Sequence, residues 1–114
     1  MRSMQPRRKF HDLEHARVHF AALKELFLSA SAPDARTARR ISALCNAAHA
    51  VLRDPYCSLK LAAVVECAGL WLGRRRGERA DPYLEQLLDL LDLLQSRVHA
   101  IEAIRRASDA SITQ

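Results

Sequence analysis

Histidine and cysteine are the residues here whose spacing could support chemistry. His11, His15 and His19 recur at every fourth position. On a helix that spacing brings imidazoles onto one face, near enough to share a Zn²⁺ or Ni²⁺. A closed zinc site takes four ligands, and no cysteine or further histidine lies close in sequence to complete the set. The apolar phase set by Phe10, Leu13 and Phe20 turns His11 and His15 outward and leaves His19 at the boundary. All three read as solvated histidines, with no metal and no cofactor expected. Cys45 and His49 repeat the i, i+4 relation on the inner side of a second helical segment. As nucleophile and base they would need an orienting third group and an oxyanion site, and no motif supplies either. A cysteine with apolar neighbours reads as core, so no catalytic residue is assigned and the chain is expected not to be an enzyme.

His49, in a chain of this length and helical layout, resembles the phospho-accepting histidine of histidine phosphotransfer domains. That resemblance would imply a lysine three residues on and then a glycine. Leu52 fills the first place, and Asp54-Pro55 interrupts the helix just beyond. The stretch from Leu61 to Arg75 is faintly similar to the first half of a helix-turn-helix, with Gly69 as turn glycine. Gly73, Gly77 and Asp81-Pro82 break the chain where a recognition helix would follow. The sharpest charged feature is the loop from Gly73 to Arg79. Trp71, Arg74, Arg75, Arg76 and Arg79 form a candidate anion-binding set, suited to phosphates, an acidic peptide or a nucleic-acid backbone.

Four prolines mark the elements that must position these residues. Proline is tolerated at the first helical position, where its missing N–H costs nothing. Asp54-Pro55-Tyr56 and Asp81-Pro82-Tyr83 use one device twice, an aspartate N-cap followed by proline. Ser31-Ala32-Pro33-Asp34 resembles a capping box with a shorter acid, and Pro6 closes a basic tail. The pattern predicts helices over 8–30, 33–53, 55–73 and 82–107. The connections are very short apart from Gly73 to Ala80, which points to an antiparallel four-helix bundle. Residues 1–7 are expected to be a disordered tail, 8–107 the single bundle domain and 108–114 a frayed end.

Apolar residues at Leu84, Leu87, Leu91, Leu94, Val98 and Ile101 alternate steps of three and four, a heptad-like seam. Leu88, Leu90 and Leu93 lie off that stripe. The last helix is therefore expected to keep an apolar face beyond what its own bundle covers. The predicted partner or dimer interface is Leu84, Leu87, Leu88, Leu90, Leu91, Leu93 and Leu94.

Composition sets the frame. The chain has 114 residues, 49% of them hydrophobic and 27% charged, which places it among single globular domains and outside the disordered class. Seventeen leucines and nineteen alanines lean it towards helix. Of the net charge of +5, four units fall on Arg2, Arg7, Arg8 and Lys9 and three on the arginine loop, leaving −2 elsewhere. Three cysteines in apolar sequence do not form a disulfide framework, and they fit a reducing, cytoplasmic setting. The expectation is a protein-interaction module that self-associates through its last helix as a homodimer. The competing expectation is a nucleic-acid-associated protein using the basic tail and the Arg74–Arg79 loop. No membrane partner is expected.

Overall fold

The computed structural model describes residues 11–29, 34–75 and 77–113. Four α-helices follow one another along them: α1 (His11–Ser29), α2 (Ala35–Val51), α3 (Pro55–Leu72) and α4 (Asp81–Thr113). The expected basic tail over 1–7, the first turn predicted from residue 8, and Ser31 to Pro33 lie outside the described residues.

Local chemistry accounts for the ends. Asp34 holds an extended backbone and accepts from Thr37 N at 3.0 Å and Thr37 Oγ1 at 3.1 Å. It is the N-cap of α2, a role the sequence pattern assigned to Ser31. Pro55 disfavours a helical conformation at the residue before it, and Leu52 and Asp54 are both extended, so the chain reverses within three residues. Asp54 then caps α3 by accepting from Cys57 N at 3.0 Å, with Pro55 in the first turn. The device is not repeated at α4. There Leu84 N donates to Ala80 O at 3.0 Å, so Asp81 already lies inside the helix. Its carboxylate still favours that end by opposing the positive pole of the helix dipole. α4 continues to Thr113 rather than fraying after 107, because nothing from Tyr83 onward is glycine or proline.

The helices form a closed ring in which α1 touches α2 and α4, and α3 touches α2 and α4. Ion pairs and hydrogen bonds fix the antiparallel register of α4. Asp12 and Arg105 pair through both oxygens at 2.9 and 3.0 Å, Arg17 pairs with Glu102, and Arg97 pairs with Asp54 at 2.9 and 3.1 Å. At the other end Cys67 Sγ lies 3.6 Å from Tyr83 O. Leu13, Phe20 and Phe27 of α1, Ile41 of α2, Leu61, Val64 and Trp71 of α3, and Leu87, Leu91 and Leu94 of α4 share one core. Phe27 and Trp71 close its upper end across the ring, edge to face with centroids 5.6 Å apart.

This register corrects the picture of α4 as a helix with surplus leucine. Since 67 lies near 83 and 54 against 97, α3 runs alongside the whole leucine-rich half. The length that α4 has in excess of α3 falls after Val98, where alanine and polar residues predominate, and α1 accompanies it as far as Arg105. It gives the molecule its long dimension of 60 Å against 25 and 21 Å.

Candidate functional site

Each predicted site residue can now be placed. Of the seven leucines expected at an interface, Leu87, Leu90, Leu91 and Leu94 are buried in the core, and Leu84 and Leu88 are half-buried. Only Leu93, 42% exposed, faces outward. The ring of neighbours gives α4 two packing partners, α1 and α3, so positions off the heptad stripe are used as core.

The arginine loop is organised more tightly than its sequence implies. Trp71 is buried and not part of any anion-binding face. Arg74 folds back over it, donating to Trp71 O at 2.8 Å with its guanidinium carbon 5.8 Å from the ring centroid. That bond caps an orphan carbonyl at the end of α3. Glu78 staples the loop: it accepts from Arg75 N at 3.0 Å and from the Tyr83 hydroxyl. The Tyr83 bond holds the Glu78 carboxyl below its ordinary value and the Tyr83 phenol above its own. Gly77 occupies the left-handed region at φ +89°, as the turn requires. Arg79 pairs loosely with Asp81 at 3.8 Å. Arg75 is exposed, and the side chain of Arg76 lies outside the described residues.

The histidines and cysteines take quiet positions. His11 and His15 stand with ring centroids 4.6 Å apart and tilted by 44°. Among the described residues no three of His, Cys, Asp or Glu gather as a metal group. Cys45, Cys57 and Cys67 are free and buried. Burial pushes the Cys45 thiol up to about 11. Burial, then the neighbouring Asp54 carboxylate, pushes Cys57 up to about 12. Neither supplies the thiolate that nucleophilic catalysis needs at neutral pH.

Large apolar side chains stand open on α1 at Val18 and Leu28 and on α4 at Leu93 and Ile104, and α3 carries three more. This helix has a mean hydropathy of 1.2, and by length and composition alone it is the one described helix that could cross a membrane. A third of it is buried, on the stripe through Leu61, Val64 and Ala68, as in a bundle helix. The rest leaves Leu59 67% and Leu70 58% exposed on the outer side, Leu70 bordering a small depression shared with Gln86 of α4, while Val65, 48% exposed, faces α2. Glu66 is the single acid on α3.

On the side of α3 that carries Val65 runs the open α2/α3 seam. A depression of about 470 Å³ lies where the two helices join, lined by His49, Arg53, Asp54, Pro55 and Ser58. A second of about 310 Å³ continues from His49 and Ser58 over Cys45, Leu61, Ala62 and Val65. Shared walls make them one trough. Its α3 wall is apolar and its α2 wall polar.

Its charge is also one-sided. From Ala35 to Arg53 the chain carries Arg36, Arg39, Arg40 and Arg53 and no acid. From Asp81 to Asp92 it carries Asp81, Glu85, Asp89 and Asp92 and no base. The two blocks cancel in the net charge, but they sit on helices at opposite corners of the ring. The absence of acid between Asp34 and Asp54 was readable in the sequence and is the signal that would have found the trough. Comparison with protein-family models, curated proteins and solved structures finds no match.

Proposed function

We propose that this chain is a non-enzymatic protein–protein interaction module, working as a small regulator, adaptor or chaperone-like subunit. One observation carries the reading: α3 keeps Leu59 and Leu70 in solvent on its outer side and Val65 in an open trough towards α2. Apolar side chains exposed together on one helix favour association, since covering them releases about 25 cal/mol per Å². The raised cysteine thiols support the non-enzymatic part, and the free thiols suit a reducing cytoplasm. Self-association as a homodimer is retained in the proposal but moved, from the leucines of α4 to the α3 face with Leu93 at its margin.

Cross-linking of tagged protein in its native cell, wild type against Leu59→Glu/Leu70→Glu, tests the reading. The expected result is a discrete cross-linked species, heterologous or a second copy, that the variant loses while melting at the same temperature. Identical cross-linking in both would sink the proposed face.

Polyanion binding is the second reading, favoured by topology. α2 begins and α3 ends at the same end of the bundle, so Arg36, Arg39 and Arg40 share it with Arg75 and Arg79. If this end binds DNA through ~4–7 phosphates, the log–log salt slope should fall near −4 to −6. No retention on DNA at low salt would remove it.

A further inference from the structure

We infer that the α2/α3 trough takes an amphipathic helix with an acidic flank from a partner protein. The inference rests on the interaction-module reading and names what that module binds.

The floor selects for apolar side chains. Leu61 lies at its base, and Ala62 and Val65 form the α3 wall. Ala62 is small, which lets a second backbone come close. The α2 wall selects for negative charge. Asn46 and His49 line the trough. Arg39, two turns before Asn46, lies on the same helical face, and Arg53, just past the end of α2, lines the trough itself. Both are exposed, and neither has an ion pair among the described residues. The one acid in the trough, Asp54, is already answered by Arg97 through both oxygens and by Cys57 N. The free field of the trough is therefore positive.

Geometry selects the helix. From Arg39 to the end of α2 at Val51 is twelve residues, roughly 18 Å at 1.5 Å per residue, and Arg53 follows just past that end. A ligand helix of about four turns spans that distance, with an acid near each end and an apolar stripe between. An extended peptide gains its affinity from a sheet edge, and the described residues contain no strand. A nucleic-acid backbone would leave the apolar floor uncovered. A small amphiphile would stay largely in water, because the trough is long and open instead of enclosing. Helix-in-groove docking satisfies both walls at once.

A designed, dye-labelled four-turn peptide with a leucine stripe and glutamate flanks, and its twin with lysine flanks, test this by fluorescence anisotropy. The glutamate peptide is expected to bind about tenfold or more tighter than its twin at moderate salt. Arg53→Glu should reverse that preference, Val65→Glu should abolish binding of both, and Leu93→Glu, outside the trough, should change neither. Circular-dichroism melts of each variant establish that it folds. Equal or better binding of the lysine twin overturns the acidic-partner inference while leaving an apolar docking face. Loss of neither peptide in Val65→Glu, or binding of neither to wild type, overturns the trough itself. Light scattering distinguishes the last alternative: a dimer that Val65→Glu dissociates would make the occupant a second copy and overturn the heterologous partner.

Discussion

Asp54 shows how much one side chain can hold in this fold. It caps α3 through Cys57 N, receives Arg97 of α4 on both oxygens, and stands at the end of the trough. The Arg97 hydrogen bonds come first among the causes that bring its carboxyl from 3.8 down to about 2. The sign follows from linkage: a group with a depressed folded value stabilises the fold above its ordinary value and loses that stabilisation as protons are forced on. Stability should therefore fall as pH drops from about 4 towards about 2, and Asp54→Asn should flatten that part of the curve. Asp54→Ala should cost about 2 kcal/mol in denaturant titrations at neutral pH, through the lost cap and the lost charge-assisted bonds. The cysteines give a second residue-scale expectation. A thiol reagent at neutral pH should modify Cys45, Cys57 and Cys67 slowly in native protein and at once in denaturant, because burial keeps all three protonated and covered. The capping role of Asp54 was legible in the sequence, since Asp-Pro ahead of an apolar run has a mechanism. Its partnership with Arg97 was not, because those residues are separated by a whole helix.

Among the elements, α4 and α3 exchange the parts that periodicity alone assigned them. The leucine stretch of α4 looks oversupplied when one seam is counted, yet it serves two neighbours. Leu91→Ala should therefore cost about 3 kcal/mol, as expected for a fully buried leucine. Leu93→Ala should cost under about 1 kcal/mol, and the contrast between the two can be read from chemical unfolding. Similar costs for both would contradict the register. In the α3–α4 connection, Gly77 holds φ +89° with nothing within 4 Å of an added Cβ. Gly77→Ala should thus lose about 1 kcal/mol from backbone strain alone, without a steric clash. The four helices and most of their ends were legible from prolines and apolar spacing. The length of α4 was not, because the run after residue 107, Ser-Asp-Ala-Ser-Ile-Thr, carries no glycine or proline stop and no apolar stripe to count. Which helices share a seam was not legible either: it depends on the ring order, which no local pattern encodes.

For the whole molecule, the ring separates what the net charge conceals. A basic α2 and an acidic first half of α4 occupy opposite corners, so two partners of opposite sign could be held at once without competing. Reversing Arg36, Arg39 and Arg40 to glutamate should lower the salt at which the protein leaves a polyanion column. Reversing Asp89 and Asp92 to lysine should raise it. Insensitivity to both would mean that residues outside the described helices dominate that binding. The edge-to-face contact of Phe27 with Trp71 has an optical consequence. Trp71 is the one tryptophan in the chain, fully covered, and its indole Nε1 finds no acceptor among the described residues. Its emission should lie well to the blue and shift red only when the upper end of the bundle opens. Trp71 lines neither depression of the trough and faces the core, so a bound helix would leave that colour unchanged. The protein thus carries an internal dye that reports unfolding and stays silent on occupancy, which allows the two to be measured separately in one cuvette.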